Sequence, residues 1–394
     1  MDKNPVMEMM GRRLRLAVIG GGPGSFIGAM HRTAATLDDR FELVAGAISS
    51  DPNRSRAAGA AIGLAGDRSY GDGLELLRAE ASRDDGVDAV AIMTPNDTHH
   101  LFSIAALDLG FDVICDKPIT NTLDEALDVV DKVRKTGLVF CLTHNYTGYP
   151  MVRQARAMVN DGQLGEIRLV QVEYVQGGKA EENDPNPEHG LPWRYDPVRG
   201  GPSLVMGDIG SHAHNLARFI TGIEVSEVSA EIGAIVPNRL VHDYGAAMLR
   251  FDNGARGSFW VTQAAAGVEN CLRIRVSGTQ GSLEWEQEKP TALLFKPITG
   301  PAEVRTPNGP GTLPLSALAT RIVSGHPEGF HEAFANLYSD VAEAIAARRS
   351  ASMPNPLALH FPNEIDGAIG VKFVDSAIAS SAAGGAWTSA LLDI

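Results

Sequence analysis

The chain has 394 residues, 44% of them hydrophobic and 21% charged, with a formal net charge of −14. Length and composition fit a folded protein of two or three domains and exclude disordered and fibrous classes; the acidic balance, with no cluster of Lys and Arg, argues against nucleic acid or an anionic membrane surface as partner. No run approaches the roughly 20 apolar residues that span a bilayer, and Cys115, Cys141 and Cys271 are scattered and odd in number, as expected of reduced, buried thiols in a cytoplasmic protein.

Residues 1–13 carry Met7, Met9 and Met10 but no continuous apolar stretch, and are read as a frayed start rather than a signal peptide. Leu14 to Ile19 reads as a buried strand running into Gly20-Gly21-Gly22-Pro23-Gly24-Ser25-Phe26-Ile27-Gly28. Glycines between a strand and a helix let the backbone approach a pyrophosphate, whose charge then rests on the N–H groups at the helix start. Gly20 and Gly22 fit the first two positions of the dinucleotide fingerprint, whereas Gly28 comes about three residues late for the third. A helix over 29–37 and a strand over 41–48 complete a βαβ unit. An acid after that second strand would bond a ribose 2′-hydroxyl, and a small polar residue with an arginine would admit a 2′-phosphate. Here stand Ser49 and Ser50 with Arg54 nearby, although Ser50-Asp51-Pro52-Asn53 equally fits a helix start capped by Asp51; NAD and NADP both stay open.

Further helices over 72–81, 101–109 and 123–135 alternate with strands over 87–93, 111–115 and 138–142, which predicts a parallel, doubly wound sheet. Right-handed crossovers place every strand's carboxyl end on one edge, and that edge would gather Gly20, Ser49, Thr94, Asn96, Lys117 and His144. Lys117 precedes Pro118, which pushes it out of helical geometry as its strand ends; it either faces a ligand cleft or is an ordinary solvated lysine. His99 and His100 are read first as capping or solvated residues at a helix start.

After His144-Asn145-Tyr146 the texture changes. A helix over 151–160 is followed by alternating segments at 165–175, 226–236, 245–251, 257–262, 272–277, 281–286 and 291–296, with Asp252-Asn253-Gly254 as a hairpin signal. They predict a largely antiparallel sheet with helices on one face and a second face for a subunit partner to cover. A polar insertion, 177–203, holds Trp193 and Arg194, whose ring and guanidinium suit a polyol or an ordinary surface loop. In Asp208-Ile209-Gly210-Ser211-His212 the acid and the histidine lie four apart on one helix face, which Asn215 continues. That spacing fits a general base oriented by a carboxylate, or a first-turn acid beside a core histidine; too few donors accompany it for a metal site. Gly325-His326-Pro327-Glu328 is read first as helix-start geometry, with a substrate contact at His326 as the alternative, and 362–380 as a last helix.

Asp116-Lys117-Pro118 is similar to the Glu-Lys-Pro signature, and Asp208-Ile209-Gly210-Ser211-His212 to the Asp-x-Gly-x-His signature, of the glucose-fructose oxidoreductase / inositol dehydrogenase / rhizopine-catabolism (Gfo/Idh/MocA) family. Thr94-Pro95-Asn96 and Leu164-Gly165-Glu166-Ile167 match two more of its stretches. The resemblance implies a Rossmann domain over 14–145 and a C-terminal α+β domain over 146–394 used in dimer or tetramer contacts. It implies NAD or NADP at Gly20, Gly22, Gly24, Ser25, Phe26, Ile27, Ser49, Ser50, Arg54, Thr94, Asn96, His99, Asp116 and Lys117. A sugar, glycoside or cyclitol is expected at Lys117, His144, Tyr146, Trp193, Arg194, Asp208, His212 and Asn215. Lys117 would lower the pKa of the reacting hydroxyl, His212 would take its proton and Asp208 would orient the ring. The lengthened glycine loop, Ser49 in the usual acidic place and Asp116 in place of Glu depart from the family pattern. A dehydrogenase is the reading that follows. The alternatives are a glycoside hydrolase of the same family that uses bound NAD, and a non-catalytic nucleotide-binding sensor.

Overall fold

The computed structural model describes residues 4–181 and 192–394. Its elements in chain order are α1 (Pro5–Met10), β1 (Leu14–Gly20), α2 (Phe26–Leu37), β2 (Phe41–Ala47), α3 (Pro52–Ala61), α4 (Gly73–Ala81), β3 (Ala89–Met93), α5 (His99–Asp108), β4 (Asp112–Cys115), α6 (Leu123–Thr136) and β5 (Phe140–Leu142). There follow α7 (Pro150–Asn160), β6 (Ile167–Val175), α8 (Ser211–Thr221), β7 (Val225–Gly233), β8 (Tyr244–Phe251), β9 (Arg256–Thr262), β10 (Cys271–Gly278), β11 (Gly281–Glu286), β12 (Leu293–Pro297), β13 (Glu303–Arg305), α9 (Pro314–Leu318), α10 (Phe330–Ser350), α11 (Glu364–Ala382) and β14 (Thr388–Ser389). Two compact units result: Met1–Thr120 with Asp124–Gly148 and Phe330–Gly367, and Asn121–Leu123 with Tyr149–Gly329 and Ala368–Ile394.

The first unit holds a parallel five-stranded sheet in the order β2-β1-β3-β4-β5, the doubly wound Rossmann arrangement. Its strands are largely apolar, with Arg15, Glu42 and Asp112 confined to their amino ends, because both faces are covered. Part of that cover comes from the far end of the chain: Phe334, Tyr338, Val341 and Ile345 of α10 share one core with Leu14, Leu16, Val18 and Phe41. The expected frayed start is instead ordered from Asn4 onward. Asn4 Oδ1 accepts from the N–H groups of Val6 and Met7, Pro5 opens α1, and Val6 is buried in the same core.

At the sheet's amino edge two carboxylates are held by arginines. Arg12 donates to both oxygens of Asp88 at 2.6 and 3.0 Å, and Arg348 to Asp112 at 2.7 Å. Burial would raise the Asp88 carboxyl, but hydrogen bonds from Arg12 and the Arg15 N–H, with Arg349 alongside, hold it below the usual range. At Asp112 burial prevails over Arg348 and pushes the carboxyl up.

The second unit is built on a nine-stranded sheet, β13-β12-β11-β10-β6-β9-β8-β7-β14, antiparallel except where β6 runs parallel to β9. Asp252-Asn253-Gly254 turns β8 into β9 as expected: Gly254 adopts φ 88° and its N–H donates to Phe251 O at 3.0 Å. Val170, Val172, Ile274 and Val276 point to the buried face, while Leu169, Met248 and Trp260 share the opposite, exposed one. β13 and β14, three and two residues long, went unread because so short a segment has no period to detect.

Candidate active site

Every strand end named above as a nucleotide contact lies on the carboxyl edge of the first unit's parallel sheet. β1 leaves the sheet through Gly20, Gly21 and Gly24, all at positive φ (87°, 69° and 82°). A Cβ on Gly22 would stand 2.7 Å from Ile48 O, and one on Gly28 would strike the backbone of Gly21. Gly28 therefore performs the close strand–helix packing of the fingerprint's third glycine despite its late spacing. Ser25 caps α2 by accepting from the Gly28 N–H at 3.2 Å, and Arg32 donates to Gly21 O at 2.8 Å. Phe26 and Ile27, the first two residues of α2, present N–H groups with no partner inside the helix.

At the end of β2 the helix-cap reading holds for Asp51, which accepts from the Arg54 N–H at 2.7 Å; Ser49 Oγ in turn accepts from the Asp51 N–H at 3.2 Å. Beyond β3, His99 is buried with its ring nitrogens 2.9 Å from Thr94 O and 2.7 Å from Pro118 O, so it ties two strand-end turns together rather than meeting solvent. The half-buried His100 pairs with Asp128 at 2.8 Å. The next corner is braced by Asp116, whose Oδ1 accepts from the Lys117 N–H at 3.0 Å and from Thr143 Oγ1 at 2.9 Å, and the Lys117-Pro118 peptide is cis. Asn96, His144 and Tyr146 are buried in the turns after β3 and β5.

In the second unit Asp208 and His212 lie on one continuous helical segment, but the backbone around the acid is not an ordinary α-helix. Met206–Gly210 is a π-helical turn, closed by the Ser211 N–H on Met206 O, before α8 begins. Such turns add a residue to the helix and recur at functional sites. His212 is buried and its ring lies 6.3 Å from that of Tyr174; Asn215 is buried one turn on, its Oδ1 without a hydrogen-bond partner. Trp193 and Arg194 occupy a single turn, with the Arg194 guanidinium 4.3 Å over the Trp193 ring. Residues 182–191 of the polar insertion lie outside the described residues. Glu328 accepts from the Arg321 N–H at 3.0 and 3.2 Å and so braces a loop, while α10 starts two residues later at Phe330.

Several polar residues around Asp208 were not read from the sequence. Gln263 Nε2 donates to Asp208 Oδ2 at 2.9 Å and to Gln176 Oε1 at 3.2 Å, and Gln176 donates to Asn270 Oδ1 at 2.6 Å, which also accepts from Tyr174 OH at 2.8 Å. Lys179 Nζ lies 3.7 Å from Asp208 Oδ2. Arg239 fixes the root of the insertion by donating to the carbonyls of Lys179 and Glu181 at 2.7 and 2.9 Å. The last residues of β6 and β9 are register partners, Val175 with Thr262, so Gln176 and Gln263 emerge side by side.

Residues 14–144 match the model of an oxidoreductase family with an NAD-binding Rossmann fold, and residues 152–284 the GFO/IDH/MocA C-terminal domain. An oxidoreductase of Bacillus subtilis, YfiI, is 31% identical over 96% of this chain and 98% of its own length. The chain belongs to the Gfo/Idh/MocA oxidoreductase family. Among relatives, levoglucosan dehydrogenase of Pseudarthrobacter phenanthrenivorans is 29% identical over 95% of this chain and 98% of its own. The crystal structure of an inositol dehydrogenase homolog from Azotobacter vinelandii, complexed with NADH and myo-inositol, superposes with a TM-score of 0.88 at 35% identity, covering 97% of this chain and 98% of that one.

Proposed function

We propose that this protein is an NAD(P)-dependent dehydrogenase that interconverts a secondary alcohol and a ketone on a sugar, glycoside or cyclitol. The observation that carries the reading is the pair of strand-end and helix chemistries: a lysine at a braced corner of the nucleotide edge, and a buried histidine one turn from a fixed carboxylate. The relatives named above act on or bind levoglucosan and myo-inositol, which supports a polyol ring as substrate.

The glycine turn, its positive-φ residues and the open N–H groups of α2 fit a dinucleotide pyrophosphate, so Gly20, Gly22, Gly24, Ser25, Phe26 and Ile27 are the residues assigned to hold it. Ser49, Ser50 and Arg54 are assigned to the ribose end, and Thr94, Asn96, His99, Asp116 and Lys117 to the nicotinamide end. When bound, the nicotinamide supplies the hydride acceptor in oxidation and the donor in reduction. The Lys117 ammonium donates to the reacting hydroxyl oxygen and favours its alkoxide. His212 takes the hydroxyl proton, the carbinol hydrogen leaves with its bonding pair, and the oxygen's electrons complete the C=O bond. Asp208 accepts from a substrate hydroxyl; His144, Tyr146, Asn215, Trp193 and Arg194 shape the ring's surroundings.

The protein is further proposed to act in the cytoplasm as a homodimer or homotetramer, the exposed sheet face of the second unit serving as the interface; among the described residues no helix is long and apolar enough to cross a membrane. The testing experiment follows the reduced-nicotinamide absorbance with NAD+ and with NADP+ against sugars, glycosides and inositols. Stoichiometric cofactor reduction with ketone formation is expected; glycoside cleavage without net reduction would replace this reading with the hydrolase.

A further inference from the structure

Lys179 lies outside every role assigned so far, yet its placement is specified by three contacts. Its N–H donates to Gln263 O at 3.0 Å, its carbonyl accepts from Arg239 at 2.7 Å, and its ammonium stands 3.7 Å from Asp208 Oδ2. Arg239 is itself anchored, its guanidinium 3.5 Å from the buried Asp243, whose carboxylate accepts from the N–H groups of Ile235 and Val236 at 2.8 and 3.1 Å. Backbone bonds thus fix the main chain from which this lysine reaches the acid. The Lys179 and Asp208 side chains are only 17% and 25% exposed, so the pair is screened far less than a surface ion pair.

The same oxygen of Asp208 receives the Gln263 amide. Both Gln263 N–H bonds go to oxygens, so a flipped amide would set its own oxygen against Asp208 and Gln176. In the orientation that avoids this, Gln263 Oε1 is buried with no hydrogen-bond partner. A buried, unmatched carbonyl is destabilising, because it has lost its water without gaining a donor. Retaining it keeps both donors where they are, one of them on Asp208.

We propose that Lys179 and Gln263 form a cradle for Asp208: Lys179 is the counter-ion that keeps the carboxylate charged, and Gln263 fixes its rotation, so that Asp208 meets a polyol hydroxyl as a pure acceptor and takes no proton in the reaction. The assignment rests on the dehydrogenase reading only for the identity of the ligand. Among the described residues, the titratable groups on the elements that carry this network include His212 on the same helix, Tyr174 on β6, and His242 with the Arg239–Asp243 pair on the segment before β8; Arg239 and Asp243 lie 3.5 Å apart, and burial lowers the pKa of His242. Among the described residues Lys179 is a cation in contact with the carboxylate.

The test titrates the full-length protein carrying 13C-carboxyl aspartate, the Asp208 signal being the one lost in Asp208→Asn. In Lys179→Met its midpoint is expected to rise by about one to three pH units, the effect of losing a cation at this distance, and to return in Lys179→Arg. An unchanged midpoint in Lys179→Met, or no return in Lys179→Arg, overturns the proposal. With myo-inositol and NAD+ as probe, Lys179→Met is also expected to move the acid limb of kcat/KM to higher pH. Gln263→Leu is expected to raise KM about tenfold, the equivalent of one lost hydrogen bond to a charged group, with NADH affinity unchanged. A wild-type protein that oxidises no polyol refutes the dehydrogenase reading, and the titration still decides the cradle.

Discussion

His31 shows how one buried side chain ties stability to pH. Its Nδ1 is 2.7 Å from Tyr338 OH, its Nε2 has no partner, and the ring packs edge-on against Phe334 at 4.8 Å. Burial pushes its pKa down to about 4 from the usual 6.5. Between those values the unfolded chain binds a proton that the fold refuses, so stability falls as pH drops through that window. One such group removes about 2 kcal/mol between pH 7.5 and 5. Urea denaturation of His31→Gln is expected to show a smaller loss by roughly that amount, and an unchanged pH dependence would contradict the assignment. The residue scale is also where the sequence was most and least legible. Lys117, Asp208 and His212 stand in short local patterns, and the structure places each at a strand end or helix turn as expected. Lys179, Gln263 and Arg239 carry no local signal: a lysine in a polar loop and a glutamine after a strand look like ordinary surface chemistry, and only the meeting of Lys179 and Gln263 at Asp208, with Arg239 holding the Lys179 carbonyl, distinguishes them.

Among the elements, the glycine turn and the π-helical turn depart most from what spacing alone conveys. Gly28 looked misplaced because the fingerprint counts residues, whereas the physical requirement is that α2 approach Gly21 without a Cβ between them. Gly28→Ala is expected to push α2 away and weaken NADH binding at least tenfold, read by fluorescence titration, with a loss of about 1–3 kcal/mol in stability from overpacking. Wild-type affinity in that variant would show that Gly28 does not set the turn. Asp208 and His212 were legible as helix neighbours, but the inserted residue at Met206–Gly210 was not, since no composition marks a π turn. Likewise, the parallel pairing of β6 with β9 joins segments some ninety residues apart in the chain, and it is this register that brings Gln176 beside Gln263.

For the whole molecule, the alternating first half and the hairpin-rich second half foretold a doubly wound sheet followed by a mainly antiparallel one, and the structure has both. The apolar stripe of Phe334, Tyr338, Val341 and Ile345 marked α10 as amphipathic but could not tell which sheet it covers; its core partners are Leu14, Leu16 and Phe41 of the first unit. The exposed sheet face of the second unit presents Leu169, Met248 and Trp260 beside a groove lined by Gln171, Glu173, Ser258, Arg273 and Arg275. Sedimentation equilibrium is expected to give a dimer or tetramer, and Met248→Lys with Trp260→Lys a smaller species; a monomeric wild type would contradict the interface.

The central claim is that Lys117 and His212 serve proton transfer in a nicotinamide-linked alcohol oxidation, and single-variant kinetics test it most directly. With the best polyol substrate and its cofactor, Lys117→Ala and His212→Ala are each expected to lower kcat about 100- to 10,000-fold, while the NADH dissociation constant stays within a few-fold of wild type. Near-normal turnover in either variant would contradict the assigned chemistry.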